Sequence, residues 1–178
     1  MILAQQGNHA AFEVLAKSVT RRMYGTAMLI VRDPDGANDA VQDALIEAWR
    51  NLPTLRDPDA FEGWANRILV RSCYRAIKSR QRRRMEVEIT EIDAITGSHD
   101  VRIGAMDQID RAFRRLTPEQ RAVLVLHHRQ GLQLDETAKV LDIPVGTVKS
   151  RLNRATIALR AALDAEGRDA PVVEGQTA

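Results

Sequence analysis

The sequence predicts an all-α fold: two small helical domains joined by a flexible acidic linker. Three observations lead there. Leu, Ala, Ile, Val and Arg dominate and only 4% of residues are aromatic, a mixture that favours helices over sheets. Apolar residues recur at three- and four-residue steps, with no strand-like alternation and no internal repeat. Charge is arranged in blocks that the overall net charge of +2 conceals. Residues 1–84 carry 14 Lys/Arg against 9 Asp/Glu, residues 85–110 carry 1 against 7, residues 111–163 carry 10 against 4, and residues 164–178 carry 1 against 4. Two basic blocks separated by an acidic one suggest two nucleic-acid-facing domains. The chain of 178 residues, 44% of them apolar, has room for two small cores. The expected boundaries are 1–84, a linker at 85–103, a second domain at 104–163 and a disordered tail at 164–178.

In the first domain, Phe12, Leu15, Val19, Met23, Ala27 and Ile30 predict a helix pair or one long broken helix over 9–31. The string Asp33-Pro34-Asp35-Gly36 is a strong breaker. A second helix, 37–51, has Ala40, Val41, Ala44, Leu45, Ala48 and Trp49 on its apolar side and a stripe of Asp39, Asp43 and Glu47 at four-residue spacing. Beyond a loop bracketed by Pro53 and Pro58, a third helix runs from near Asp59 to about Arg83. Phe61, Trp64, Ile68, Leu69, Cys73 and Ile77 form its buried stripe. Its end is strongly basic: Arg71, Arg75, Lys78, Arg80, Arg82, Arg83 and Arg84 fall within one short stretch that contains no Asp or Glu. Such a surface can track phosphates beside duplex DNA.

The linker lacks periodicity. A helix over 104–115 is expected to turn Met106, Ile109, Phe113 and then Leu116 inward. Thr117-Pro118-Glu119-Gln120 is a helix start, with Thr117 as cap, Pro118 at the first helical position and Gln120 completing a capping box. That helix stops at Gly131. Helices at 134–141 and 145–163 follow, separated by Asp142-Ile143-Pro144, a tight turn in which Pro144 cannot continue the first helix but can precede the second. Leu134, Ala138 and Leu141 line one helix; Val145, Val148, Leu152, Ala155 and Leu159 line the next. What remains outward is Thr147, Lys149, Ser150, Arg151, Asn153 and Arg154. These are the side chains a helix in the major groove uses: Arg and Lys for guanine edges or phosphates, Asn for adenine, Ser and Thr for either. Helix, turn and exposed set together predict a DNA-binding helix-turn-helix, against the plainer reading of a solvated basic helix.

At this point the residues become recognisable. LTPEQRAVLVLHHRQGL followed by VLDIPVGTVKSRLNRA closely resembles region 4 of extracytoplasmic-function (ECF) sigma factors of the sigma-70 family. FEVLAKSVTRRMYGTAMLIVRD, DAVQDALIEAWRNL and FEGWANRILVRSCYRAIKSRQRR resemble region 2 in the family's order and spacing. The resemblance spans roughly residues 9–163. It implies a protein that binds core RNA polymerase, through the clamp helices and the flap, and directs it to promoter DNA. Region 4 is then implied to read the −35 element, with Lys149, Ser150, Asn153 and Arg154 placed to make contacts. Region 2 is implied to read the −10 element, with Arg71, Arg75, Lys78, Arg80, Arg82 and Arg83 on the −10 segment and the upstream duplex. Asp39, Gln42, Asp43, Glu47 and Trp49 are implied to form the polymerase-docking face. The acidic linker could thread a basic polymerase channel, and family members are often held by an anti-sigma factor. The chain departs from the family pattern at four positions: Arg71 for a common Asn, Asp142 for Gly, Gln133 for a Ser or Thr cap, and Thr137 for a larger aliphatic.

Other chemistry is not expected. His127 and His128 are adjacent and should point to different faces of their helix, and no Cys/His/carboxylate set has metal spacing. The single Cys73 excludes an intramolecular disulfide and is expected to be buried. No nucleophile–base pair or phosphate loop suggests an enzyme, a small-molecule substrate or a cofactor. No apolar run is long enough for a membrane span, and Met1–Leu3 is followed at once by polar residues, so a cytoplasmic protein is expected. Two competing functions are a response-regulator output protein, whose receiver would alternate strands and helices, and an anti-sigma antagonist, which would not need an exposed recognition helix.

Overall fold

The computed structural model of the chain describes residues 1–90 and 105–169, and every regular element among them is helical. A short helix α1 (Ile2–Gln5) precedes α2 (His9–Val31). Asn8 caps α2, its side-chain oxygen accepting the Ala11 N–H at 2.9 Å, and the helix runs unbroken for 23 residues to Arg32 in the left-handed region. Neither a helix pair nor a broken helix is therefore found over 9–31: nothing inside the segment competes with the helix, since Gly25 alone is tolerated there.

Helix α3 (Pro34–Asn51) starts three residues earlier than its periodicity suggests. The Asp33 carboxylate accepts the Gly36 N–H at 2.9 Å and Pro34 takes the first helical position, so one tetrapeptide both stops α2 and starts α3. Two short 3-10 turns, Leu52–Thr54 and Pro58–Ala60, lead into α4 (Phe61–Thr90). Helix α4 continues past Arg84, so the first residues of the expected linker are helical; residues 91–103 of that linker lie outside the described residues. Helices α2, α3 and α4 enclose a core in which Ala27, Ile30, Ala40, Ala44, Leu52, Leu69 and Cys73 are fully buried. The alanines of α3 let it approach its neighbours closely. Burial of this kind stabilises by roughly 25 cal/mol per Å² of apolar surface removed from water.

The second half comprises α5 (Ala105–Arg114), α6 (Pro118–Leu124) with a π-helical turn Val125–Arg129, α7 (Leu134–Leu141) and α8 (Val145–Asp169). The capping box at Thr117 forms as expected, with Thr117 Oγ1 accepting from Gln120 N–H and Gln120 Oε1 accepting from Thr117 N–H. Gly131 sits at φ +73°, which ends the π turn. Leu116, Val123, Leu124, Ala138, Val148 and Ala155 form the core. Ile109 was expected inside and is instead half exposed; α5 is buried at Ala112, with Phe113 and, just beyond the helix, Leu116 packed in the second core. Helix α8 reaches Asp169, so the expected tail begins as helix and its remainder, 170–178, lies outside the described residues. His127 is half-buried and His128 exposed, with their rings 4.9 Å apart, edge to face.

The two halves touch. Helix α4 packs on α7 and α2 packs on α6, and Ala122, Leu126 and Val140 of the second half join the core of the first.

Candidate nucleic-acid interface

The helix-turn-helix is built as its sequence requires. Asp142 adopts φ 57°, ψ 48°, the left-handed conformation that Asp tolerates better than most residues. Ile143 N–H returns to the Ala138 carbonyl at 3.2 Å and closes the turn. At the start of α7, Gln133 N–H donates to Glu136 Oε2 at 2.7 Å, which secures an end whose capping residue is a weak one. Thr137 is fully buried and its hydroxyl has no hydrogen-bond partner, a polar group where an aliphatic would pack without penalty.

On α8 the helical period places Ser150, Asn153 and Arg154 at the centre of the outward face, with Thr147 beside them and Lys149 and Arg151 at opposite edges. Lys149, Ser150, Asn153 and Arg154 are exposed; Thr147 and Arg151 are half-buried. Arg154 folds back to donate to the Ser150 carbonyl and hydroxyl at 3.2 and 3.3 Å, and Ser150 donates to the Thr147 carbonyl at 3.0 Å. None of the three cations on this helix face forms an ion pair among the described residues.

The basic run on α4 is differently placed. Arg71, Arg75, Lys78 and Arg82 share one strip, while Arg80 and Arg83 fall off it. Three of the six are engaged: Arg71 with Asp142 at 3.2 Å, Arg75 with Glu47 at 2.7 Å and also Ser72, and Arg80 with Asp33 at 2.6 Å. Lys78, Arg82 and Arg83 are exposed. Burial pushes the phenol of Tyr74, on the half-buried side of the helix, up to about 12, and its hydroxyl lacks a partner. Burial likewise pushes the Cys73 thiol up to about 12, which leaves it a packing residue.

Helix α3 lies between α2 and α4, and its acidic face divides accordingly. Asp39 and Asp43 are exposed on one strip with Ile46, an apolar side chain that periodicity had not singled out and that is 49% exposed. Gln42 is exposed at one edge. Glu47, at the other edge, turns to Arg75. Trp49, expected on the docking face, instead packs on α2, its ring 4.5 Å from His9 and 4.9 Å from Phe12. An amphipathic ring at a helix edge buries against the nearest aromatic surface rather than face water. Among the described residues no group of three or more His, Cys, Asp or Glu could hold a metal, and no helix is long and apolar enough to cross a membrane.

A helix-turn-helix with an exposed recognition helix stands beside a second helical unit that carries its own basic strip. Comparison with known proteins specifies the class. Sigma-70 region 2 matches residues 15–83 and sigma-70 region 4 matches residues 106–159. The RNA polymerase sigma-H factor of Pseudomonas aeruginosa is 31% identical over 93% of both chains. The ECF RNA polymerase sigma factor SigM of Mycobacterium tuberculosis is 31% identical over 84% of this chain and 75% of its own. Among solved structures, CnrH in complex with the cytosolic domain of CnrY superposes with a TM-score of 0.66 at 27% identity, covering 92% of this chain and 94% of that one. RpoE of Bartonella quintana in complex with the anti-sigma factor NepR superposes with a TM-score of 0.71 at 24% identity, covering 86% and 97%. The chain belongs to the ECF group of RNA polymerase sigma factors, the subunits that direct core polymerase to promoters.

Proposed function

We propose a division of labour within this sigma factor. Residues 1–84 bind core polymerase and the −10 element, and residues 104–163 read the −35 element. The observation that carries the reading is the outward face of α8: Lys149, Ser150, Asn153 and Arg154 stand exposed on a helix whose opposite face is locked by Val148 and Ala155. Thr147 and Arg151 flank the groove-facing set. Lys78, Arg82 and Arg83 are ready phosphate contacts on α4, with Arg71, Arg75 and Arg80 joining once their acidic partners are displaced. Asp39, Gln42, Asp43 and Ile46 form the docking face for a basic partner surface, an exposed apolar side chain ringed by acids. The work is binding and strand capture in the cytoplasm, with no catalytic step assigned to the chain. Regulation by an anti-sigma factor is part of the reading; the fold neighbours include RpoE solved with the anti-sigma factor NepR and CnrH solved with the cytosolic domain of CnrY.

The test is a charge reversal on the docking face. Asp43→Arg is expected to weaken binding to core polymerase at least tenfold while leaving binding of the free protein to −35 duplex unchanged. Equal loss of both, or of neither, overturns the assignment of α3.

A further inference from the structure

A lone isoleucine on a protein surface is ordinary and by itself indicates no function. Ile157 on α8 is set apart by its position. It is 58% exposed, and among the described residues it is the one exposed large apolar side chain of that helix. The helical period sets it between Ser150 and Asn153 around the axis, opposite Val148 and Ala155, which are fully buried. It therefore lies at the centre of the outward face and not at the edge of the apolar stripe. Ser150, Asn153, Arg154 and Ile157 follow one another at i, i+3, i+4 and i+7, the spacing by which one helix presents a continuous row of side chains. Along the axis Ile157 stands roughly 10 Å beyond Ser150 at about 1.5 Å per residue, which spans about three base-pair steps of about 3.4 Å.

Its surroundings select the kind of partner. One turn before it are Asn153 and Arg154, and one turn after it are Arg160 and Ala161, with no carboxylate among them. Ile46, the exposed isoleucine of α3, instead follows Asp39 and Asp43 along its strip. An apolar group bordered by arginines suits a polyanion, whereas one bordered by acids suits a basic surface. Arg160 is exposed and adds charge that draws phosphates without specifying a base.

The chemistry of the major groove supplies the counterpart. Its base edges offer hydrogen-bond donors and acceptors, and one apolar group, the C5 methyl of thymine. Side chains such as Ser150, Asn153 and Arg154 read the polar groups and gain nothing from the methyl. An apolar side chain gains by covering it from water. The polar part of this face is also partly committed within the helix: Ser150 gives its one hydroxyl hydrogen to the Thr147 carbonyl at 3.0 Å, and Arg154 donates to the same hydroxyl at 3.3 Å. Isoleucine is branched at Cβ, so its first side-chain torsion is largely fixed in a helix and little freedom remains to be lost on contact.

We propose that Ile157 is a specificity-determining residue that covers the C5 methyl of a thymine at the edge of the −35 element, about three base pairs from the pair that Ser150 faces. The proposal deepens the assignment of α8 to that element and rests on it. The full-length protein assembled with core polymerase tests it. Promoters are first selected from a randomised library. Each thymidine of the selected −35 block, on either strand, is then replaced in turn by deoxyuridine, which lacks only the methyl group, and the affinity of the holoenzyme is measured. One replacement is expected to weaken binding by the wild type roughly fourfold, the equivalent of burying one methyl group at about 0.8 kcal/mol. Ile157→Ala should bind that duplex and its thymidine parent alike, and Ile157→Val should keep most of the preference. Alanine at an exposed helical position leaves the fold intact. A −35 block without an A·T pair, a block in which no thymine methyl matters, or a methyl preference that survives in Ile157→Ala overturns the proposal. Arg154→Ala keeps the parent assignment separate: if it leaves the −35 block unrelaxed, α8 is not the reader, whereas a relaxed block with no methyl preference removes the role of Ile157 alone.

Discussion

The recognition face of α8 and the basic strip of α4 look alike as strings of residues and differ as surfaces. On α8, Lys149, Arg151 and Arg154 lie opposite an apolar stripe that packs on α5, α6 and α7, and none has an ion-pair partner among the described residues. On α4, three cations of the six are already paired, because the helix is flanked by acidic α3 on one side and by the turn before α8 on the other. A cationic run is therefore only an upper bound on the charge a helix can offer DNA. What counts is which carboxylates the fold brings beside it.

The sharpest way to break this comparison is to truncate cations on both surfaces in the free protein. Arg154→Ala or Lys149→Ala is expected to lower affinity for a −35 duplex by about 1–3 kcal/mol where the side chain reads a base. Arg75→Ala should cost less than threefold in the same assay, since Glu47 already occupies it. Equal losses on both helices would erase the distinction.

A second prediction concerns stability within region 4. Thr137→Val keeps the shape of the buried side chain and removes its orphaned hydroxyl, and should stabilise the protein by about 1 kcal/mol. Unfolding by urea checks it; destabilisation would mean that the hydroxyl has a partner.

A smaller effect is expected from releasing the α4 strip. Glu47→Gln frees Arg75 from an exposed ion pair of the kind that contributes about 0.2–1 kcal/mol. Affinity for duplex DNA at low salt should rise by a few-fold at most and lose the gain at high salt. No rise at all would show that Arg75 points away from DNA even when free.

The smallest effect is one of pH. Burial raises the Asp110 carboxyl, but hydrogen bonding and charge from Arg32, with Arg114 adding to it, outweigh burial and hold it below the usual carboxylate range. A depressed carboxylate contributes stability above its unfolded value, near pH 4, and loses it as pH falls through the folded value. The contact between α5 and α2 should therefore weaken only in acid, and Asp110→Asn should remove that part of the acid dependence measured by urea unfolding.

Much of this could be read from the chain before its fold was known. Thr117-Pro118-Glu119-Gln120, the Asp142-Ile143-Pro144 turn and the stripe from Val145 to Leu159 are local signals, and local hydrogen bonding realises each of them. The misreadings have a common source in tertiary contact. Trp49 belongs to the apolar side of α3 by periodicity, but only the position of α2 decides that it stacks on His9 and Phe12. Ile109 has the right period and the wrong neighbour. Gln130, Thr26 and Asn66 are far apart in sequence, polar, and bear no motif, so nothing along the chain announces that they meet in hydrogen bonds. Arg67 escaped notice because it precedes the dense cationic run, yet its guanidinium reaches the Lys139 carbonyl of α7.

On the proposed division of labour, one chain reads two promoter elements through two unlike surfaces. Reconstituted transcription with sigma-free core polymerase and a promoter library randomised across both elements tests it most directly. Selected promoters are expected to share two separate sequence blocks, with Arg154→Ala relaxing the upstream block alone and Lys78→Ala lowering output without altering either. A single selected block, or a change in the downstream block on mutating Arg154, would contradict it.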